Sequence, residues 1–185
     1  MKNVELVPAV KYFDDNVVLE IITKGFVPGF NTLQQLETIK PEVFDFIGHI
    51  QSNKLKKILA LNPRFIHSVD SEKILQKIST EKPGQKILLQ FKTDPDKNYG
   101  FDVARYKDIS IPENLELCGI MTISKIGDVK AFKTMHKIAS YYEQKFAKPM
   151  HISMGTSKDY DLAIKYGATI VRVGRHFFDV YEKFL

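Results

Sequence analysis

The chain has 185 residues, of which 44% are hydrophobic and 26% charged, so one soluble domain over residues 1–185 is the simplest expectation. No apolar segment reaches the roughly 20 residues of a membrane-spanning helix, and the first residues lack the apolar stretch of a signal peptide. The net charge of +5 comes mostly from dispersed lysines, without the interleaved arginines and aromatic residues of a nucleic-acid surface.

Eight short apolar or β-branched segments recur along the chain, and each predicts a strand. Their starts lie 18 to 35 residues apart, which leaves room for a helix or a loop between neighbouring strands. The predicted strands are residues 5–9, 26–30, 44–49, 65–69, 86–91, 115–123, 150–154 and 169–174.

Apolar residues with helical spacing lie between most of these strands and predict six helices. The fifth connection, residues 93–112, contains Pro95, Gly100 and Pro112 and predicts a loop with only a short helix. The residues that share one face of each predicted helix are Val17, Val18, Ile21 and Ile22; Leu33, Leu36 and Ile39; Leu55, Ile58 and Leu59; Ile74 and Ile78; Val129, Phe132, Met135 and Ala139; and Ala163 and Ile164.

The alternation of strands and helices predicts an α/β fold with a parallel sheet. Eight units favour closure into a (β/α)8 barrel, with short connections, because such barrels usually have about 200 residues or more. An open doubly wound sheet is the alternative. In a barrel, the functional residues follow the carboxyl ends of the strands.

Residues that could react with an aldehyde or bind a phosphate follow several of the predicted strands. Lys11 follows the first strand and Asn31 the second, while residues 153–157 and 174–175 end the seventh and eighth strands, where such barrels often hold phosphate. A lysine whose ammonium form is disfavoured by partial burial can attack an aldehyde. These neighbours suit an aldehyde that carries a phosphate, and pyridoxal 5′-phosphate is the candidate. Alone, the lysine is better interpreted as a solvated side chain, and Gly155 and Ser157 as a turn glycine and a helix cap.

Four segments carry a family resemblance. Residues 46–54, FIGHIQSNK, are close to the pattern FIGxLQxNK, and residues 153–157, SMGTS, are close to SMGMS. Residues 119–123, GIMTI, and 163–174, AIKYGATIVRVG, resemble the patterns GLM.I and AI..GAT.VRIG. From about residue 6 to residue 178 the chain thus resembles the pyridoxal phosphate homeostasis family, called YggS in bacteria and PROSC in eukaryotes. This implies a TIM barrel of the alanine racemase N-terminal domain type, in a short version that lacks the first helix.

The resemblance also implies the residues that contact the cofactor. The family's Schiff-base lysine falls on Lys11, and its arginine that faces the pyridine nitrogen falls on Arg172. A permanent positive charge there keeps the ring nitrogen unprotonated and weakens the ring as an electron sink; a surface arginine in an ion pair is the alternative. The full set of expected cofactor contacts is Lys11, Asn31, Ser153, Met154, Gly155, Arg172, Gly174 and Arg175.

The chain departs from the family pattern at several of these positions. Val10 replaces a serine beside the lysine, and Phe30 and Gln35 replace two glutamates near Asn31. Arg175 replaces a small hydroxyl residue, so its side chain either bonds the phosphate, blocks the pocket or points outward.

The function implied by the resemblance is intracellular pyridoxal phosphate homeostasis without clear catalytic turnover, with pyridoxal-phosphate-dependent apo-enzymes as candidate partners. A racemase on this barrel takes its second base, a tyrosine, from a partner's extra domain, and the lack of such a domain here predicts a monomer. An amino-acid racemase or lyase with Lys11 as base is the alternative function, and a decayed site is a third.

Neither the histidines nor the single cysteine predicts a functional site. The histidines show no metal-ligand spacing, so no metal site is expected, although His49 is expected at the pocket mouth. Cys118 is the only cysteine, which favours a cytoplasmic protein, and its apolar strand predicts an inert thiol. The histidines are His49, His67, His136, His151 and His176.

Overall fold

The computed structural model describes residues 4–185, and this part of the chain contains nine strands and seven α-helices. The strands are β1 (Glu5–Pro8), β2 (Gly29–Phe30), β3 (Asp45–Phe46), β4 (Phe65–Val69), β5 (Lys86–Lys92), β6 (Phe101–Asp102), β7 (Glu116–Thr122), β8 (His151–Ser153) and β9 (Ile170–Val173). The helices are α1 (Asp15–Thr23), α2 (Leu33–Ile39), α3 (Leu55–Ala60), α4 (Glu72–Glu81), α5 (Val129–Phe146), α6 (Tyr160–Lys165) and α7 (Phe177–Val180). The predicted domain of residues 1–185 also includes residues 1–3, which lie outside the described part.

The strands form one parallel sheet in the order β1-β9-β8-β7-β5-β4-β3-β2, and β6 adds to β5 outside this order. A parallel bridge between Ala9 and Gly29 joins β1 to β2, the two ends of the order. The sheet therefore closes on itself through eight strands. This confirms the predicted (β/α)8 barrel and makes the open doubly wound alternative wrong.

The predicted strands all occur, but most are shorter than expected. Only β4 has the predicted bounds. β2 begins at Gly29, three residues later than predicted, directly after Pro28, which has no N–H to donate to a ladder. The prediction missed β6, which pairs with Phe91 and Lys92 of β5. Two residues are too few to show the alternation by which a strand is recognised.

The helices confirm the predicted periodicity, because the residues that they bury are those with helical spacing. Helix α1 buries Val18 and Ile21, for example, and α5 buries Phe132, Met135 and Ala139. The predicted loop between β5 and β7 contains a short 3-10 helix, Val103–Arg105, as expected. No helix within residues 4–185 combines the length and apolar character needed to cross a membrane.

The sheet separates two apolar regions, because successive side chains of a strand face opposite sides. The larger region lies between the strands and the helices. The smaller region lies inside the barrel and consists of Val7, Ile47, Phe65, Leu88, Met121 and Ile170. The interior also contains buried polar side chains, namely Asp45, His67, Ser153 and Arg172. One of them, Arg172, also lines the cavity at the carboxyl end of the barrel.

Candidate functional site

A cavity of about 490 Å³ opens at the carboxyl end of the barrel and collects five of the predicted cofactor contacts: Lys11, Asn31, Arg172, Gly174 and Arg175. Its size is within the usual range for a small-molecule site. The other residues that line it are Ala9, Tyr12, Ile47, Ile123, Ile126, Thr156, Ser157, Lys158 and His176. Ala9, Ile47 and Ile123 directly follow β1, β3 and β7, and that position is the signal by which the sequence can identify them. The other six lie further along the segments that follow strands β1, β7, β8 and β9.

Lys11 lies in a 3-10 turn, Val10–Tyr12, that follows β1. The side-chain amide of Gln35, on α2, holds this turn by donating hydrogen bonds to the carbonyl oxygens of Val10 (3.4 Å) and Phe13 (3.1 Å). Lys11 is exposed at the cavity mouth. Lys11 therefore does not have the partial burial that would disfavour its ammonium form, because the turn carries the side chain beyond the end of the strand.

Tyr12 contacts two positively charged side chains, and the sequence reasoning missed it. Lys11 Nζ lies 4.5 Å from the centroid of the Tyr12 ring, and the guanidinium carbon of Arg175 lies 4.4 Å from it. A hydrogen bond with Lys11 lowers the pKa of the Tyr12 phenol, and the charges of Lys11 and Arg175 act in the same direction, against partial desolvation. Arg175 thus stacks on Tyr12 along the wall of the cavity, and it does not point away from it.

The loop after β8 has a conformation that requires glycine at position 155. Gly155 has a φ of +88°, and a Cβ atom at this position would lie 2.6 Å from the Cβ of Ala163. The carboxylate of Asp159 fixes the loop by accepting hydrogen bonds from the backbone N–H of Thr156 (2.8 Å), its hydroxyl (3.0 Å) and the N–H of Gly127 (3.1 Å). The loop is therefore preorganised by the protein itself.

Ser157 ends this loop beside the strand that carries Arg172. Its hydroxyl oxygen accepts a hydrogen bond from the N–H of Gly174 at 3.2 Å. Helix α6 begins later, after its N-cap residue Asp159. The alternative role of Ser157 as a helix cap is therefore wrong, and its hydroxyl faces the cavity.

Ser153 and Met154 occupy different positions from those that the family resemblance implies. Ser153 is fully buried inside the barrel, where its hydroxyl oxygen accepts a hydrogen bond from Nη1 of Arg172. Met154 packs in the outer core, and its N–H donates to Ile170 within the sheet. Adjacent residues of a strand face opposite sides. The structure therefore does not bring Met154 to the cavity, and Ser153 acts through Arg172.

Arg172 is a buried cation at the inner end of the cavity. Besides the bond to Ser153, its Nη2 donates to the carbonyl oxygen of Thr122 at 2.7 Å. Burial lowers the pKa of the guanidinium to about 10, with the charge of Asp159 opposing this. The side chain therefore remains charged at neutral pH, and the alternative of a surface ion pair is wrong.

Asn31 contributes an unsatisfied polar atom. Its side-chain oxygen is buried and has no hydrogen-bond partner among the described residues. A buried acceptor without a donor is costly, so a ligand that donates a hydrogen bond here stabilises the site. The neighbouring Phe30 faces the outer core, where its ring packs against Phe44. The glutamate position of the family is thus filled by a core residue.

His49 does not line the cavity, so its expected position at the pocket mouth is wrong. Its ring stacks on Tyr99 with a centroid distance of 3.7 Å, and its Nδ1 lies 3.3 Å from a carboxylate oxygen of Asp70. No cluster of three or more histidine, cysteine, aspartate or glutamate side chains suited to a metal ion occurs within residues 4–185.

These side chains fit pyridoxal 5′-phosphate. The exposed amine of Lys11 suits the aldehyde, and the loop at Gly155 with Ser157 and the N–H of Gly174 suits the phosphate. The unsatisfied side-chain oxygen of Asn31 can accept a hydrogen bond from the ligand. The cavity walls carry no aspartate or glutamate among the described residues, while four basic residues line it. The charge therefore suits an anionic ligand.

No family model matches the chain, but individual proteins do. The pyridoxal phosphate homeostasis protein of Schizosaccharomyces pombe is 27% identical in an alignment 201 residues long, which covers 96% of this chain and 84% of that protein. Its mouse counterpart (Mus musculus) is 30% identical over 189 residues, which cover 90% of this chain and 67% of the mouse protein.

Solved structures show the same fold. PipY of Synechococcus elongatus, solved with pyridoxal phosphate bound, matches with a TM-score of 0.82 at 27% identity, over 96% of this chain and 93% of PipY. The arginine decarboxylase of Paramecium bursaria Chlorella virus matches with a TM-score of 0.72 at 17% identity, over 95% of this chain and 58% of the enzyme. The second likeness concerns the fold alone, and both agree with the predicted barrel type.

Proposed function

This chain belongs to the pyridoxal phosphate homeostasis proteins, and we propose that it binds pyridoxal 5′-phosphate in the cavity at the carboxyl end of its barrel. The observation that carries the proposal is the convergence of Lys11, Arg172 and Gly174 with the loop at Gly155 on one cavity. Each element supplies a different part of the recognition: an amine, a buried cation and a set of short polar groups.

Lys11 is the proposed covalent anchor. Its neutral amine attacks the aldehyde carbon, a carbon–nitrogen double bond forms, and the carbonyl oxygen leaves as water. The exposed position of Lys11 gives the aldehyde access. Gln35 holds the turn that carries Lys11 through two hydrogen bonds, so the amine is presented from a fixed backbone.

The phosphate occupies the space beside Thr156, Ser157 and Gly174. The hydroxyl of Ser157 and the backbone N–H of Gly174 donate hydrogen bonds to phosphate oxygens, and the hydrogen bond between these two residues gives way to bonds with the ligand. Arg175 adds a charge-assisted contact from its position against Tyr12. Of the three roles considered for Arg175, contact with the phosphate is the one we propose.

Arg172 faces the pyridine nitrogen in this arrangement. A guanidinium has only donors, so the ring nitrogen serves as acceptor and stays unprotonated. This weakens the ring as an electron sink. The arrangement favours a protein that holds the cofactor for intracellular homeostasis over one that turns over amino acids.

An amino-acid racemase or lyase is the second candidate, and one observation favours it. Lys11 Nζ lies 4.5 Å from the centroid of the Tyr12 ring, and the interaction with Lys11 lowers the pKa of the phenol. The two groups together form an acid–base pair beside the cavity. Release of product from D- or L-alanine, serine or threonine would establish this function.

We propose that the protein is a cytoplasmic monomer that supplies the cofactor to pyridoxal-phosphate-dependent apo-enzymes. A size-exclusion measurement that gives a stable dimer would contradict the monomer.

The deciding experiment is the visible absorption spectrum of the protein with added pyridoxal phosphate. We expect an imine band that disappears on borohydride reduction, with a stable mass increase on the peptide that contains Lys11. The variant Lys11→Ala should lack the band, while Lys57→Ala, on α3, should keep it. A colourless parent, or a band unchanged in Lys11→Ala, would overturn the proposed anchor and favour a decayed or relocated site.

A further inference from the structure

We propose that His67 is a positioning residue for Arg172 and acts through Ser153, whose hydroxyl it orients from inside the barrel. The inference rests on the proposed function, because Arg172 matters for the ring nitrogen of the cofactor. His67 does not line the cavity and has no direct contact with the proposed ligand position.

The hydrogen bonds form one continuous path through the barrel interior. Arg172 donates to the hydroxyl oxygen of Ser153, which lies 3.1 Å from Nδ1 of His67. Nε2 of His67 lies 3.1 Å from a carboxylate oxygen of Asp45, and Arg64 donates to the same carboxylate through Nε (2.8 Å) and Nη2 (2.6 Å). The path links β9, β8, β4 and β3 to Arg64, which also contacts Glu5 of β1.

The two ends of the path determine its direction. Arg172 can only donate. Burial by itself raises the pKa of the Asp45 carboxyl, but hydrogen bonds from Arg64 and His67 outweigh it and hold the pKa below its usual value. Asp45 is therefore a carboxylate and can only accept.

The direction defines the tautomer of His67. Its Nε2 must carry a hydrogen to donate to Asp45, so in the neutral ring Nδ1 is an acceptor. The Ser153 hydroxyl then donates its single hydrogen to Nδ1. Its lone pairs are left to accept from Arg172, which is the orientation that holds the guanidinium.

No hydrogen bond in the path requires a charge on His67. Arg64 and Arg172 are positive, while Asp45 and Glu5 are negative; the negative charge of Asp159 also acts on Arg172, and His151 lies near Arg64 and Asp45. Burial lowers the pKa of His151, which favours its neutral form. A neutral His67 is therefore sufficient for every hydrogen bond in the path.

A matched pair of variants distinguishes a His67 that orients Ser153 from a His67 that only fills space in the barrel interior. The amide oxygen of His67→Asn replaces Nδ1 as acceptor for Ser153, whereas the amide nitrogen of His67→Gln replaces Nε2 as donor to Asp45. We expect His67→Asn to bind pyridoxal phosphate within about twofold of the parent. His67→Gln and Ser153→Ala should bind about tenfold more weakly, in proportion to one lost hydrogen bond at Arg172.

The ring nitrogen supplies a readout that a structural role would not move. With 15N-labelled pyridoxal phosphate, the nitrogen shift should report an unprotonated ring in the parent and in His67→Asn. It should move towards the protonated value in His67→Gln and Ser153→Ala. Equal weakening in the Asn and Gln variants, or no change in either, would overturn the inference.

A measurement on the ligand-free parent tests the inference even if the variants do not fold. The 15N shifts of the His67 ring should show a protonated Nε2 and an unprotonated Nδ1. The reverse tautomer would overturn the inference whatever the variants do. If the parent gives no band with pyridoxal phosphate, the proposed function fails, whereas the His67 tautomer still decides the direction of the path.

Discussion

The backbone N–H of Gly174 donates a hydrogen bond to the hydroxyl oxygen of Ser157 at 3.2 Å, and this bond joins the loops that follow β8 and β9. The two groups come from segments 17 residues apart and meet only because the two strands are neighbours in the barrel. Each satisfies the other in this structure, and both face the cavity. The bond therefore marks the point at which an entering phosphate is expected to be held.

Ser157→Ala should weaken the binding of pyridoxal phosphate by about tenfold or more, because a hydrogen bond to a charged phosphate contributes about 1.5–3 kcal/mol. Fluorescence titration measures this. Thr134→Ala is the control, because the Thr134 hydroxyl bonds only the carbonyl of Lys130 within its own helix. Equal affinity for the Ser157→Ala variant and the parent would place the phosphate elsewhere.

Gly155→Ala should destabilise the fold by more than the cost of a positive φ alone. Gly84 provides the comparison, since its φ is +80° and nothing lies within 4 Å of a Cβ there. We expect about 1–2 kcal/mol for Gly84→Ala and a larger loss for Gly155→Ala, because the added methyl meets Ala163. Urea unfolding measures both. Similar losses in the two variants would show that the loop moves away from Ala163 without cost.

Gln35→Glu should loosen the turn that carries Lys11. A carboxylate cannot donate to the carbonyl oxygens of Val10 and Phe13, so both hydrogen bonds are lost. We expect a loss of about 1–3 kcal/mol in the free energy of unfolding and faster hydrogen exchange in the turn. Gln34→Glu is the control, because it makes the same charge change on the exposed neighbouring residue. An equal effect of both variants would point to charge alone.

Asp45→Asn should cost about 3 kcal/mol at neutral pH, because an amide nitrogen would face the donors of Arg64 or His67. The folded pKa of Asp45 lies below the usual 3.8. Its ionised form therefore stabilises the protein fully above pH 3.8, and this contribution is lost as the pH falls through the folded pKa. The difference between parent and variant should be constant from pH 7 to pH 5 and shrink below pH 4. Urea unfolding at these pH values tests it, and a difference that grows in acid would contradict the assignment.

Cys118 should react slowly with alkylating reagents. Burial, together with the charge of Glu116, raises the pKa of its thiol from 9.0 to about 11. The thiolate fraction at pH 8 is then about 100-fold lower than for an unperturbed thiol, and the thiolate is the reactive species. Labelling followed by mass spectrometry measures the rate. The rate should recover in the unfolded protein, and rapid labelling of the native protein would show that the strand β7 opens.

Several features of the site could be predicted from the sequence because they depend on residues close together in the chain. The apolar periodicity of residues 17–22 and 129–139 predicts helices, and the segments at Lys11, Asn31 and Arg172 end apolar strands. Parallel strands carry their carboxyl ends to one rim. The convergence of these three residues on one cavity therefore followed from local pattern and topology.

The orientation of individual side chains depended on register and packing. Met154 and Ser153 stand in one motif, but the sheet directs one to the outer core and the other to Arg172. Lys11 is exposed because a turn intervenes after β1.

By itself, then, the sequence determined the barrel, the family and the segments that form the rim. Only the tertiary structure decided that Asp45, His67 and Ser153 form a hydrogen-bonded path to Arg172. These residues lie up to 127 positions apart (172 − 45). Local propensity acts through neighbours in the chain, whereas a buried polar path exists only where closure of the sheet brings distant strands to hydrogen-bonding distance.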